Sequence, residues 1–545
     1  MTEGTISRSR ANFLSKAGLP FRLFCGASSG VLYFLSFPGQ GEWGLAVVMW
    51  LPLLYALRGS TTKQALLIGG VTGFTMNACG FSWLPETLSG FLGASWVASS
   101  AILAVLAVLQ SGRMMLAALL AATLRSARFP NVIAWPAALV ISEMVAPMIL
   151  PYSDTAILHT VPEAIQVLEW TGRLGPTFLI GAVNAGLWSF LSLLVDSKEH
   201  GDAKRLASEL LFVVALVGAA LTTGIVMIKR VDATTSLGTR ATVALVQPNS
   251  SPLDKRETPS RLIEEHASLT KLQTAQKRPH FFVWSESVLA RPLRSDRLDG
   301  DIAQRGLSEM GVAVVTGAVV REAESAHTNS IVVIDERGRV CKSCRYDKQT
   351  LVPLTEGTPG GSFGTIVRRF FPAAGTYQRG AMADAIPVLG RMVGGLVCYE
   401  ALYPNQVRRL VTEDVELLLN LSNDAWFRGG PAAEIHFALA KLRAIEHRKF
   451  MLRATSTGIS AIVDPVGRVV AQLPSNTRGV LLGEIVWLRG TTFSDRWGDW
   501  PWRAYGVVLF LLWSVRRLRG RRLPLFEHEP TQTAAKEPGA NRAAS

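Results

Sequence analysis

From Leu19 to Ile228 the chain is a succession of long apolar runs separated by short polar loops. From Asp232 to about Thr492 it changes character: short apolar stretches alternate with charge-rich amphipathic ones. The first pattern predicts membrane helices and the second a folded polar domain. A last apolar run, YGVVLFLLWSV (Tyr505 to Val515), follows the aromatic WGDWPWRA and precedes the basic RRLRGRR, the arrangement of an interface-anchored span. Beyond Pro524 no periodicity continues, and the tail reads as disordered.

As spans, the pattern predicts helices near 19–36, 44–58, 64–84, 90–111 (extended or broken through 124), 131–150, 175–195 and 207–228, then a last one near 503–516. Eight spans follow, seven before the polar domain and one after it. The basic SRSRANFLSK ahead of the first run resembles the start of a signal peptide, but no small-residue cleavage site follows and further spans do, so the run reads as an anchor. The N-terminus, RGSTTK, SGRM, RSARF, SKEHGDAKR and RRLRGRR are basic, whereas PGQGEWG and PETLSG hold neither Lys nor Arg. By the positive-inside rule the N-terminus is cytoplasmic and seven crossings carry the polar domain outside, although IKR (Ile228 to Arg230) runs against the trend. The expected organisation is a membrane domain over 1–231, a periplasmic domain over 232–492, a final span over 493–523 and a cytoplasmic tail over 524–545 of a bacterial inner-membrane protein.

Composition agrees with this division. Hydrophobic residues make up 48% of the chain and charged ones 18%, with mean hydropathy +0.25, too apolar for an ordinary soluble protein. The net charge of +14 belongs largely to inside anchors facing anionic lipid, and nothing resembles a nucleic-acid module.

Within the polar domain the strand-like segments are ATVALVQ, HFFVWSE, GVAVVTGAVV, SIVVID, MVGGLV, VELLLNLS and ISAIVD. They alternate with helix-like RLIEEHASLTKLQTA and EIHFALAKLRAIEHRKFMLRA, which predicts α/β or α+β layers with functional groups at strand ends. Glu286 ends HFFVWSE, Cys398 follows MVGGLV, and Lys348 follows the hairpin-like IVVIDERGRV. Taken singly, each has an ordinary alternative: a capping carboxylate, a solvated lysine, a small buried hydrophobe.

The order Glu, Lys, Cys carries more. VWSES around Glu286, YDKQTLVPLTE around Lys348 and Glu356, VCYE around Cys398, LSNDAWF, the helix with His436 and RATSTGISAIVDPVGRV resemble the nitrilase (carbon–nitrogen hydrolase) superfamily, and within it the apolipoprotein N-acyltransferases. CGFSWL near Trp83 extends the likeness into the membrane part. The resemblance implies a polytopic α-helical membrane domain of about eight spans plus a nitrilase-like α-β-β-α sandwich. It also implies the chemistry: Cys398 as nucleophile, Glu286 as its base, Lys348 stabilising thiolate and oxyanion, and Glu356 orienting the lysine or the incoming amine. Tyr399 and Glu400 would shape the site behind the nucleophile, and Trp426 and Phe427 would offer apolar surface, with core packing as the alternative for the aromatics. The implied reaction moves a fatty acyl chain from a membrane phospholipid through a cysteine thioester to the N-terminal amine of a diacylglyceryl apolipoprotein, without metal or other cofactor.

Two positions depart from the family pattern. Arg256 stands where many members carry tryptophan, and GTPGG follows LVPLTE without the expected aromatic. Three further motifs carry less. GASSG (Gly26 to Gly30) fits a serine-hydrolase pattern but lies inside an apolar span, where small residues serve helix packing. CKSC (Cys341, Cys344) is a weak zinc or redox motif in a predicted hairpin and is compatible with a disulfide outside the cytoplasm. His436 has no ligand-spaced partners and reads as a packing or hydrogen-bonding histidine. A membrane-tethered amidase, with water as acceptor, and a multi-span scaffold carrying an inactive domain are the alternative readings.

Overall fold

The computed structural model describes residues 18–195, 203–250, 258–323, 326–353, 356–357, 377–427 and 430–521. The basic N-terminal segment, most of the SKEHGDAKR loop, Arg256, most of GTPGG and the tail lie outside these residues.

Each predicted apolar run is helical over at least part of its length, with changes at the ends. Leu19–Ser36 forms as expected, with a proline in its first turn, where the missing N–H costs nothing. The expected 44–58 helix is two short pieces, a 3-10 turn over Trp43–Val47 and a helix over Leu51–Ala56. Thr62–Gly80 starts on a capping box between Thr61 and Gln64, and bends by 49° into the next helical piece, which runs from Leu84 to Leu92. Trp96–Ser126 is one continuous helix of 31 residues. Asn131–Val145 stops short of the expected 150, and at 15 residues it reaches only about 22 Å, less than a bilayer core. Leu174–Val195, Ala203–Ser236 and Trp500–Arg521 complete the set.

Among the described residues, three helices are long and apolar enough to cross a membrane, or four if the bent pair is one span. The expectation of eight counted apolar runs, and several of those runs fold into pieces too short or too charged to cross alone. Close packing explains how the pieces hold together. A Cβ on Gly69 would meet the Met114 carbonyl at 2.5 Å, so the Thr62–Gly80 and Trp96–Ser126 helices touch backbone to backbone. GASSG does the same work: a Cβ on Gly30 would lie 2.7 Å from the Thr72 carbonyl.

The Ala203–Ser236 helix runs past the expected boundary at 231, and the first strand begins at Thr239. One sheet is ordered β13-β1-β2-β4-β5-β6, with β3 paired to β4. Its strands are β1 (Thr239–Gln247), β2 (Phe281–Val283), β3 (Leu289–Arg294), β4 (Ala313–Ala323), β5 (Ala326–Ile334), β6 (Val340–Asp347) and β13 (Gly479–Trp487). The other is ordered β12-β11-β10-β9-β8-β7, with β7 (Ile386–Val388), β8 (Arg391–Val397), β9 (Val415–Ser422), β10 (Phe450–Thr455), β11 (Ser460–Val463) and β12 (Val469–Leu473).

Strand alternation sorts side chains into layers. Val243, Leu245, Val283, Val315 and Ile331 pack against Leu396, Leu418, Leu452 and Ile462 between the sheets. Ala244, Val246, Phe282 and Trp284 turn outward onto Leu262 of the Pro259–Gln276 helix. The Pro431–His447 helix covers the other sheet, giving the α-β-β-α sandwich the resemblance implied. That helix is apolar on a second face as well. Leu439, Leu442 and Ile445 join the buried cluster of Met49, Trp50, Ile157 and Ile165, so the membrane half supplies the outer wall of the sandwich.

Candidate active site

The second sheet delivers the cysteine. β8 is an inner strand, parallel to β9 and antiparallel to β7, and it ends at Val397, where the chain turns into a short 3-10 helix, Cys398–Leu402. Cys398 sits in the left-handed region at φ 53°, a conformation that non-glycine residues hold only when their surroundings impose it. Those surroundings are on consecutive residues. The Cys398 carbonyl accepts from Asn420 Nδ2 (3.2 Å) and lies 3.3 Å from His436 Nε2. Val397 N–H donates to Glu400 Oε2 (2.8 Å). Tyr399 OH donates to the Ile149 carbonyl of the membrane half.

The first sheet delivers the charged groups. Glu286 follows β2 at a turn that presses against β4, where a Cβ on Gly317 would come within 2.3 Å of Ser287 N, so only glycine lets the turn approach. Lys348 follows β6, is fully enclosed, and places Nζ 2.8 Å from Glu356 Oε1 and 3.6 Å from Glu286 Oε1. Glu286, the Lys348–Glu356 pair and Cys398 lie on three separate segments of the sequence, and folding draws the three charged groups together, with the Cys398 thiol within electrostatic reach of Glu286 and Lys348.

Charge balance follows from the geometry. Burial alone would lower the Lys348 pKa, but Glu356, Glu286 and Cys398 raise it above the ordinary lysine range, so the ammonium persists. For Cys398, burial and the Glu286 charge outweigh the pull of Lys348 and push the thiol up to about 12. At neutral pH Cys398 is therefore a neutral thiol.

Glu400 is wholly buried and surrounded by donors. Oε1 accepts from Gln349 N (2.6 Å), Thr350 N (3.0 Å) and Gln406 Nε2 (3.0 Å), and Oε2 from Val397 N and Tyr346 OH (3.0 Å). It clamps the segment after Lys348 to the residue before Cys398. Burial pushes its carboxyl up despite these donors. Phe427 stands edge-on to Trp83 of the membrane half, ring centroids 5.1 Å apart, and to His436 at 6.0 Å. The side chain of Trp426 lies outside the described residues.

Four neighbours were not legible as site residues. Asn329 of β5 donates from Nδ2 to Glu286 Oε1 (2.7 Å) and Glu356 Oε1 (3.3 Å), holding the two carboxylates in one orientation, while Asn423 N–H donates to Glu286 Oε2 (2.8 Å). Arg453 in β10 pairs with Asp424 at 2.7 Å, and Asp424 Oδ1 lies 3.1 Å from His436 Nδ1. Their signal in the sequence is polarity inside buried strands: Thr-Asn-Ser opening SIVVID, and one arginine within FMLRAT. One ligand-type atom each from Cys398, Asp424 and His436 falls within 4.8 Å, the spacing of a metal site. The Arg453 guanidinium beside Asp424 favours a hydrogen-bonded cluster instead, and with His436 it holds that carboxyl well below the usual range, against the effect of burial. Cys341 and Cys344 are joined as a disulfide in β6, Cα atoms 5.0 Å apart.

Residues 299–488 match the carbon–nitrogen hydrolase family, and residues 29–186 match the apolipoprotein N-acyltransferase N-terminal domain. The second match sits on the membrane half and singles out one branch of the superfamily. The chain belongs to the apolipoprotein N-acyltransferase family. Among its relatives, the apolipoprotein N-acyltransferase of Photobacterium profundum is 28% identical over 527 residues, spanning 92% of this chain and 96% of that one. That of Pseudomonas aeruginosa is 28% identical over 530 residues, spanning 94% and 99%. That of Rhizobium meliloti is 36% identical over 298 residues, spanning 51% and 54%.

Proposed function

We propose that this protein acylates lipoproteins: it moves a fatty acyl group from a membrane phospholipid to the N-terminal amine of a diacylglyceryl cysteine, by way of a thioester on Cys398. The observation that carries this reading is the enclosed Glu286–Lys348–Glu356 cluster beside a strained strand-end cysteine, in a chain whose membrane half matches the acyltransferase branch. In the first half-reaction the Cys398 sulfur attacks the ester carbonyl while Glu286 takes the thiol proton. Lys348 balances the oxyanion, a contribution of about 3–4 kcal/mol for a group of this kind. The C–O bond then breaks, Glu286 returns the proton to the leaving glyceryl oxygen, and a lysophospholipid departs. In the second, the lipoprotein amine attacks the thioester, Glu286 takes its proton, the C–S bond breaks and the thiol is restored. Asn329 and Asn423 N–H fix the orientation of Glu286, and Glu356 steadies the ammonium of Lys348.

Both substrates are lipid-anchored, which accounts for a membrane half packed directly against the catalytic one. In this reading the membrane domain covers 1–231 with seven crossings, the catalytic domain covers 232–492 on the periplasmic side of the inner membrane, and a last crossing within 493–523 returns the chain to the cytoplasm. Phe427 and Trp426 contribute apolar surface for the acyl chain, and Glu400 serves by positioning. The test follows both products in phospholipid vesicles. Transfer predicts one lysophospholipid per acylated lipopeptide, with little free fatty acid when the lipopeptide is left out. Steady fatty acid release without any acceptor would make the protein a lipid hydrolase and overturn the proposal.

A further inference from the structure

Charged side chains buried within a membrane domain are costly and call for a reason. Arg113, Glu143 and Asp154 are 1%, 5% and 0% exposed, and Arg113 Nη2 lies 3.1 Å from Glu143 and 2.9 Å from Asp154. The guanidinium also lies over the Tyr152 ring, 5.2 Å from its centre. These groups converge on one loop. Ser153 Oγ donates to Glu143 Oε1 (2.7 Å), Tyr33 OH donates to Asp154 Oδ1 (2.9 Å), and Leu150 N–H donates to Gln110 Oε1 (2.8 Å). Next to these anchors is the Ile149 carbonyl, the acceptor of the Tyr399 hydroxyl, and Tyr399 follows the nucleophile directly. The ties at the Cys398 carbonyl and at Val397 N–H come from the catalytic half, as does the Tyr403 hydroxyl that donates to Tyr399 OH (2.7 Å), whereas the acceptor for Tyr399 OH comes from this loop.

We infer that Gln110 and Arg113, inside the membrane domain, are positioning residues for catalysis: by fixing the Ile149–Asp154 loop they hold Tyr399 and so the left-handed turn that aims the Cys398 thiol. The inference builds on the transferase reading in one respect, the identity of the nucleophile. Thiol alkylation needs no lipid, so its outcome is independent of what the enzyme acylates.

The full chain in nanodiscs is treated with iodoacetamide, and alkylation of Cys398 is timed by peptide mass spectrometry, with Cys25 and Cys79 as internal references. Gln110→Met removes the acceptor for Leu150 N–H, and Tyr399→Phe removes the hydroxyl. Each is expected to slow Cys398 alkylation and to lower kcat about ten-fold with KM for the phospholipid unchanged, because misplacing a reacting group costs rate rather than binding. The double variant should be no slower than Tyr399→Phe alone, since the Gln110 effect passes through the Tyr399 hydroxyl that Phe lacks. Arg113→Lys, which keeps the charge but loses the fork geometry, serves in place of Gln110→Met if that variant does not accumulate, with the same expectation. Multiplying effects in the double variant, or wild-type alkylation in a folded Gln110 or Arg113 variant, would overturn the inference.

Discussion

Replacing Glu400 by glutamine changes one atom and leaves shape intact, so its consequences isolate the clamp. Oε1 receives three donors and Oε2 two, and a glutamine amide has only one oxygen to offer. The favourable rotamer keeps oxygen on the side of Gln349, Thr350 and Gln406, which turns the amide NH2 toward Val397 N–H and Tyr346 OH. The tyrosine hydroxyl can rotate to accept. Val397 N–H cannot, and a buried donor without a partner costs about 1–3 kcal/mol. Loss of charge assistance on the remaining bonds adds about 1 kcal/mol, for a total of about 2–4 kcal/mol. The thermal midpoint should fall by roughly 5–15 °C, followed by intrinsic fluorescence in detergent. Because the lost bond ties Val397 to the segment after Lys348, turnover should fall by at least about ten-fold as well. A variant within about 0.5 kcal/mol of the parent in stability, with turnover within two-fold, would refute the assignment of Glu400 as the clamp.

Three further outcomes follow. Ultraviolet thiolate absorbance, taken as the difference between the protein and Cys398→Ala, should show no step between pH 7 and 10, since burial and Glu286 hold the thiol at about 12; a step near pH 8 would mean a preformed thiolate. Asn329→Asp places a third carboxylate between Glu286 and Glu356, and should cost about 10²-fold or more in acyl transfer with the protein still folded; near-normal turnover would remove Asn329 from the site. Cys341→Ala with Cys344→Ala should leave acyl transfer within a few-fold of the parent, and an inactive but folded double variant would assign the disulfide a catalytic part.

The sandwich was legible because its strands are short, apolar and bounded by turn residues, and because Glu286, Lys348 and Cys398 stand at their ends, where side chains leave the sheet. The partners that fix them were not. Asn329, Asn420, Asp424 and Arg453 act through hydrogen bonds that exist only once β5, β9 and β10 are in place, and a single chain gives no period or spacing for such pairs. Glu400 was expected to shape the site behind Cys398, but the five donors that enclose it had no sequence signal. Helix lengths were not legible for a related reason: hydropathy reports which residues avoid water, and the Asn131–Val145 helix, 15 residues long, buries much of its surface against neighbouring helices. The second buried face of the Pro431–His447 helix, against the membrane half, is likewise a tertiary fact that its amphipathic pattern does not carry.

The central claim is that Cys398 carries the acyl chain between two lipid substrates. Intact-protein mass spectrometry after incubation with a single-species phospholipid, with no acceptor present, tests it most directly. The account predicts a gain of one acyl group, mapped to Cys398 by peptide analysis, labile to hydroxylamine, absent in Cys398→Ala, and discharged onto a diacylglyceryl-cysteinyl peptide when that peptide is added. An acyl group found on another residue, or lipopeptide acylated at parental rate by Cys398→Ala, would contradict it.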